Sequence, residues 1–394
     1  MDFVQQAKLI ERDIVSWRRE VHSYPELGMD TPRTHDFVVG ILSSLGLEIR
    51  THVGGTGAVG LLRGNGSSPK TFAIRADMDA LPVTEETGLP FASQVPGRMH
   101  ACGHDAHVAM ALGAAAILSK TKSELPGNVK FVFQPGEEGS GGARIMIEDG
   151  ALENPRVDAI IGAHVGTLWP VKTGAIGVKS GALMAAADSF ALTIRGKGGH
   201  GAAPHQSVDP VVVASHVTLA LQTIVSREIA PVTPAVITVG LIRAGTASNV
   251  IPESCLLRGT VRYLDNDLAS YMPKRIEEIA KGIAAGMRAE ADLKYTPGYP
   301  PLINDTEMTA FLRASASRLL GPENVVELSA PSMGGEDMSY YLQEVPGCFF
   351  ALGSSDPRAG VVYPNHHPRF DIDENVLHVG AAVFAQAAVD FFRQ

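Results

Sequence analysis

Short apolar runs that alternate with helically spaced stretches constrain this chain more than any other feature. Thr71–Arg75, Val129–Phe133 and Ala159–Ala163 are runs of strand length, and Val108–Leu118 and Gly142–Glu148 between them have helical spacing. Strands that alternate with helices in this way fold as an α/β layer, a mostly parallel central sheet flanked by helices. Ligands and catalytic groups of such sheets gather beyond the carboxyl ends of the strands. Each of the three runs ends there in polar residues. The first runs into Arg75-Ala76-Asp77-Met78-Asp79-Ala80-Leu81-Pro82, the second into Gln134-Pro135-Gly136-Glu137-Glu138-Gly139, and the third into His164.

Upstream, residues 2–22 read as one amphipathic helix. Thr31-Pro32 starts a second helix that reaches about Leu45, with Pro at its first turn. Strands are expected at Leu47–Val53 and Ala58–Arg63. The pattern changes near Ala187. Strand Ser189–Gly196, helix Pro210–Arg227, strands Val236–Arg243 and Ser254–Tyr263, helix Leu268–Arg288 and strand Ala291–Thr296 follow in the order β-α-β-β-α-β. That order is an α+β ferredoxin-like unit. It lies inside the chain, so the expected division is an outer domain of residues 1–186 and 298–394 and an inserted domain of residues 187–297. The outer domain resumes with helix Glu307–Leu320, strand Cys348–Leu352 and helix Asn375–Arg393.

Charge and composition narrow the function classes. A net charge of −9 over 394 residues excludes a general binder of nucleic-acid phosphates, which needs excess Lys and Arg. No apolar stretch approaches membrane-span length, and the N-terminus lacks the basic and apolar regions of a signal peptide. The 3 cysteines, Cys102, Cys255 and Cys348, form no disulfide framework, so a reducing cytoplasm is the expected compartment.

The densest chemistry lies in Met99-His100-Ala101-Cys102-Gly103-His104-Asp105-Ala106-His107. Cys102 and His104 stand two apart where a helix should begin, a place expected to lower a thiol pKa and ready it for a metal. Each alone would read as an ordinary core residue; together they read as half of a metal site, with His100, Asp105 and His107 orienting them. Glu137-Glu138 sit on a turn out of a buried strand, where one carboxylate can bind metal and the other act as general base. His164 adds a third strand end. His366-His367, in a Pro-bounded loop, read either as surface decoration or as the chain returning to the site. His200 lies in Gly196–Gly201, which lacks the Lys-Ser/Thr pair of a phosphate loop. His22, His35, His52, His216 and His378 read as surface or structural residues.

Six ordered motifs now carry a resemblance. They are Arg75–Pro82, Met99–His107, Gln134–Glu138, Gly162–His164, Gly198–His205 and Asn365–Pro368. Together they resemble the M20 metallopeptidase superfamily over essentially the whole chain. Within it, the chain is similar to the amidohydrolase branch (subfamily D), with hippurate hydrolases, N-acyl-amino-acid amidohydrolases and plant auxin-conjugate hydrolases. The resemblance implies two divalent ions per subunit, held by Cys102, His104, Glu138, His164 and His367. Thiolate, imidazole and carboxylate ligands are compatible with Zn, Mn, Co or Ni.

It further implies Glu137 as general base and His200 as a lid histidine acting in its own or a neighbouring subunit's site. Asp77 is carried over as a catalytic residue and Asn249 as a substrate neighbour. Arg262 is a candidate for the substrate carboxylate, with a plain sheet-face arginine as the other reading. The inserted domain becomes a lid that makes a homodimer or homotetramer. Two departures stand out. Arg75-Ala76-Asp77 stands where classical peptidases of the superfamily carry His-x-Asp, and Gly166 stands where the subfamily commonly has Pro. The implied reaction cleaves the amide of an N-acyl (acetyl, benzoyl or similar) amino acid, a small-molecule substrate, with no nucleic-acid or membrane partner. A dipeptidase or carboxypeptidase on the same fold is the alternative. A binding protein that had lost the chemistry would lack Glu137, and a cysteine hydrolase using Cys102 would be insensitive to chelators.

Overall fold

A computed structural model describes residues 2–355 and 362–393. Helices α1 (Phe3–Leu9), α2 (Glu11–Ser23) and α3 (Pro32–Ser44) lead into β1 (Glu48–Val53), β2 (Gly57–Leu62) and β3 (Thr71–Asp77). Next come α4 (His104–Ser119), β4 (Asn128–Gln134), α5 (Gly142–Glu148), β5 (Ala159–Gly166), β6 (Ile176–Val178) and β7 (Gly181–Met184). Then follow β8 (Asp188–Arg195), β9 (Gly199–His200), α6 (Pro210–Thr223), β10 (Ala235–Ala244), β11 (Val250–Ile251), β12 (Ser254–Tyr263), α7 (Leu268–Gly286) and β13 (Glu290–Thr296). The chain closes with β14 (Leu302–Asn304), α8 (Thr306–Leu320), β15 (Val325–Glu327), α9 (Met338–Glu344), β16 (Gly347–Gly353) and α10 (Leu377–Phe391). The first helix expected from the sequence is two, because the helix breaks at Ile10 between α1 and α2.

These elements form two compact units. One comprises residues 1–181, 303–332 and 337–394, the other residues 182–302 and 333–336. The first unit holds an eight-stranded sheet in the order β1-β2-β4-β3-β5-β16-β6-β15. Its centre, β4-β3-β5-β16, is parallel throughout, while β1-β2, β2-β4 and β16-β6 run antiparallel. Strands β2, β3 and β16 are buried along their whole length, as expected for strands covered on both faces. Helix α4 is also buried nearly all round, which explains its alanine-rich, unstriped sequence. A Cβ at Gly113 would come within 2.9 Å of both Ala381 and Ile14, so this glycine lets α2 and α10 close on α4.

The second unit is a four-stranded antiparallel sheet, order β10-β12-β8-β13, with α6 and α7 sharing its core. Its chain order is β-α-β-β-α-β, the ferredoxin-like arrangement. No helix among the described residues is long and apolar enough to cross a membrane.

Candidate metal centre

The topology of the first unit brings the chemistry together. Strands β4, β3 and β5 are parallel neighbours, so their carboxyl ends lie side by side. Asp77 ends β3, the Glu137-Glu138 turn follows β4, and His164 lies near the end of β5. Helix α4 begins at His104 rather than Val108, so the Cys102–His104 pair sits at its N-terminus.

Ligand-type atoms converge there. The groups Cys102/His104/His164, His104/Glu137/Glu138 and Cys102/Glu138/His366 each have their ligand atoms within 4.8 Å of one another. Cys102 Sγ is 3.5 Å from His164 Nε2, and His366 Nε2 is 3.3 Å from Glu138 Oε1. Both buried imidazoles are held by their other nitrogen. His104 Nδ1 lies 2.7 Å from the Asp79 carbonyl oxygen, and His164 Nδ1 lies 2.6 Å from that of Val165. A proton on each Nδ1 donates to that carbonyl and leaves Nε2 as the free lone pair, the usual preparation of a histidine ligand.

Asp79 has a second role. Its carboxylate accepts the Glu137 amide at 2.9 Å and the Glu138 amide at 3.0 Å. One buried side chain therefore sets the backbone of both acidic residues, while its own carbonyl sets His104.

Asp77 is built differently. It accepts from Arg75 at 2.7 Å and pairs with His107 Nδ1 at 2.6 Å, while His107 Nε2 accepts the Val165 amide at 3.1 Å. Both nitrogens of His107 are thus engaged, and this histidine braces α4 against β5 beside His164. Deeper in, Arg75 and Gln134 converge on Asp337, which also accepts the Ala143 amide at 2.9 Å. On the other side of α4, Asp105 accepts from Arg18 at 2.9 Å and lies 2.8 Å from His22 Nδ1.

Burial and these charges set the protonation states. Burial pushes the Cys102 thiol up to about 12, with the Glu138 carboxylate adding to the rise. The expected lowering at a helix start is reversed, because burial beside a carboxylate outweighs the helix end. Burial also works against charge on His104, but Asp77, 3.6 Å from its Nε2, overrides it and raises the pKa well above the ordinary value, so Nε2 holds a proton that a cation would replace. Burial, then His107 and His104, push His164 well below it. For Asp77, burial opposes ionisation, yet Arg75 and the two histidines hold it well below the carboxylate range.

The residues fit a divalent cation. Buried His104 Nε2 has no hydrogen-bond partner among the described residues, although it is a strong polar group in a closed site, and Glu138 Oε1 faces His366 Nε2 at 3.3 Å. A thiol pushed up to about 12 would ionise readily only beside a cation, and a coordinating metal deprotonates its thiol. The donor set of one sulfur, imidazoles and carboxylates is borderline-soft chemistry.

Not every residue expected from the sequence is brought to this cluster. His367 stacks on Tyr363 at 4.5 Å between ring centroids, and its Nδ1 accepts the Arg369 amide at 3.0 Å. Its neighbour His366 occupies the expected place instead, with φ +71° and its amide on the Ala101 carbonyl at 2.7 Å. That backbone turn aims the first histidine of the pair, not the second, at Glu138, and nothing in a His-His dipeptide announces it. Nothing in the sequence pattern assigns a role to Asp79, Asp337 or Arg18. The alternate spacing of Asp77 and Asp79 at a strand end is the one signal that could have flagged Asp79.

Three further expected residues lie in the second unit. His200 is exposed on β9, and its Nδ1 accepts the Ala202 amide at 3.0 Å. Exposed Asn249 lends its carbonyl to the Gly201 amide at 2.8 Å. Half-buried Arg262 donates to the Asp188 carbonyl at 3.3 Å, to the Val261 carbonyl at 3.2 Å and to Thr260 Oγ1, ties of a sheet-face arginine.

The chain resembles known proteins along nearly its whole length. The family model for peptidase family M20/M25/M40 matches residues 73–390. Thermostable carboxypeptidase 1 of Saccharolobus solfataricus is 40% identical over 99% of both chains. N-acetyl-L-cysteine deacetylase of Bacillus subtilis is 40% identical over 93% of this chain and 85% of that one. The crystal structure of the Bacillus subtilis YxeP protein, described as a dinuclear metal binding peptidase from the M20 family, superposes with a TM-score of 0.86. It is 35% identical and covers 98% of this chain and 99% of its own. With the ligand-type cluster at the strand ends and these likenesses together, the chain belongs to the M20/M25/M40 peptidase family, in its amidohydrolase branch, and is a metal-dependent hydrolase.

Proposed function

We propose that the protein hydrolyses the amide bond of N-acyl amino acids, releasing a carboxylic acid and a free amino acid. Two divalent ions would be held by Cys102, His104, Glu138, His164 and His366, with His366 taking the part first given to His367. The observation that carries this reading is the convergence of those donors beside Glu137, with both buried imidazoles locked through Nδ1. The deacetylase relative supports the acyl-amino-acid substrate.

Bound divalent ions supply Lewis acidity toward the amide carbonyl and acidify water at the site. The protein's own residues do the rest. Glu137, buried and held by its amide on Asp79, takes a proton from the attacking water and returns it to the leaving amine. Asp77 keeps His107 in place and supplies fixed negative charge beside His104; it takes no proton from substrate. His200 is assigned to the developing oxyanion, a contribution of about 10²–10³ in rate for one such donor. Asn249 is assigned to the substrate carboxylate. Arg262 is the weaker candidate for it because its guanidinium already serves its own sheet.

The second unit is assigned as lid and dimer contact. Edge strand β10 exposes Val236, Leu241 and Ile242, and α6 exposes Val211, Val212 and Leu219, apolar surface that a second subunit would cover. The metal, from Zn, Mn, Co or Ni, and a cytoplasmic site of action belong to the same proposal. The carboxypeptidase relative favours peptide substrates as the second reading. A panel of N-acetyl and N-benzoyl amino acids and dipeptides, assayed on the metal-loaded enzyme, separates the two. Glu137→Gln should keep its metal and lose turnover on every member; retained turnover would overturn the base assignment.

A further inference from the structure

Asn365, the residue before His366, bridges two segments that carry metal-ligand candidates. Its Oδ1 accepts the Thr167 amide at 2.8 Å and Thr167 Oγ1 at 3.2 Å, just past the end of β5. Its Nδ2 donates to the Cys102 carbonyl at 3.2 Å and has two more acceptors in reach, the Val165 carbonyl at 3.4 Å and Cys102 Sγ at 3.9 Å. An amide nitrogen carries two hydrogens, so three acceptors compete for them. A neutral thiol is the weakest of the three. The Cys102 sulfur, 3.9 Å away and within reach for a sulfur acceptor, takes the second hydrogen when it serves as a ligand.

Gly166 makes room for this amide. A Cβ there would lie 2.4 Å from Asn365 Oδ1 and 2.5 Å from Nδ2, and the glycine holds φ +104°, which L side chains rarely adopt. The residue that departs from the subfamily's usual proline is therefore the one against which the Asn365 amide lies flat.

We propose that Asn365 is a positioning residue that donates an N–H to the Cys102 sulfur, fixing it as a metal ligand, and that Gly166 is the space this contact requires. The proposal rests on the reading of Cys102 as a ligand. Asn365 ties the loop of His366 to the Cys102 turn and the His164 strand, so three ligand-bearing segments share one side chain. N–H donation stabilises the sulfur lone pairs and confines the thiolate to one direction. Partners of this kind behind a ligand are typically worth about 10–100-fold in metal affinity.

The test uses the cobalt(II)-loaded protein and reads the thiolate-to-cobalt charge-transfer absorption, which a merely structural role would not move. In Asn365→Ala the band should shift to lower energy and affinity for the ion at Cys102 should fall about 10–100-fold. Asn365→Asp keeps the acceptor for Thr167, removes the donor and adds a negative charge beside the sulfur, so it shifts the band in the same direction by at least as much and stands in where the alanine variant does not fold. Gly166→Ala, which pushes the amide away while leaving Asn365 in the chain, should reproduce the shift. Folded variants with the wild-type band and affinity would overturn the role of Asn365. A wild-type cobalt protein with no such band would overturn the Cys102 ligand assignment and this proposal with it.

Discussion

Replacing Asp79 by Asn is a small change with a large expected effect. The Asp79 carboxylate accepts two backbone amides, those of Glu137 at 2.9 Å and Glu138 at 3.0 Å, in a fully buried site. The side-chain amide of Asn has one oxygen to offer, so one backbone N–H would face an NH₂ group instead. A buried donor left without a partner costs about 1–3 kcal/mol, and weakening the surviving bond from a carboxylate to a neutral acceptor costs about 1 kcal/mol more. The sum, about 3 kcal/mol, corresponds to a fall in Tm of about 4 °C for a chain of 394 residues, whose unfolding entropy is about 2.1 cal/mol/K per residue. Glu137 and Glu138 sit on that turn, and a displacement near 1 Å at reacting groups can cost about 10²-fold in rate. The expectation is that Asp79→Asn lowers kcat about 10²-fold with KM little changed, and lowers the calorimetric Tm of the metal-free protein. A lowered Tm with wild-type kcat would show that Asp79 serves the fold alone. A wild-type Tm would show that the two amide contacts contribute nothing.

Two further outcomes follow from the geometry. His366→Ala should lower bound metal and turnover, while His367→Ala should lose its stacking on Tyr363 and keep its metal; metal analysis of the two purified variants decides. His22 supplies a pH dependence. Burial lowers its pKa, but Asp105 and Glu85 outweigh that and raise it to about 9 from 6.5. Its stabilising contribution, about 3 kcal/mol, is complete below pH ~6.5 and fades as pH rises through about 9. Urea unfolding of the metal-free protein should weaken across that window, and His22→Gln should flatten the trend; parallel profiles for the two proteins would refute it.

Much of this architecture is legible in local pattern. Continuous apolar runs announce β3, β4 and β5, and a parallel sheet then forces their polar ends together, which makes Asp77, Glu137, Glu138 and His164 candidates for one rim, with Cys102 and His104 added by their spacing at a helix start. The ferredoxin-like unit is equally visible, because its strands and helices keep clean periods. What escapes is set by contacts between distant segments and by single backbone angles. The choice between His366 and His367 depends on one positive φ. The direction of the Cys102 shift is set first by burial of the sulfur and then by Glu138 beside it. Asp337 joins Arg75 from 262 positions and Gln134 from 203 positions further along the chain, and no periodicity links such residues. Asp79 was visible as a residue but not as a role, since its partners are backbone amides.

Metal dependence is the decisive property of this site. The protein would be stripped with a chelator, titrated with Zn, Mn, Co or Ni, and assayed on an N-acyl amino acid with metal content measured at each point. Activity is expected to vanish on stripping and to return in full as two ions per chain are bound, with Cys102→Ser falling short of that stoichiometry. Full activity in the stripped protein, or full metal loading in Cys102→Ser, would contradict that expectation.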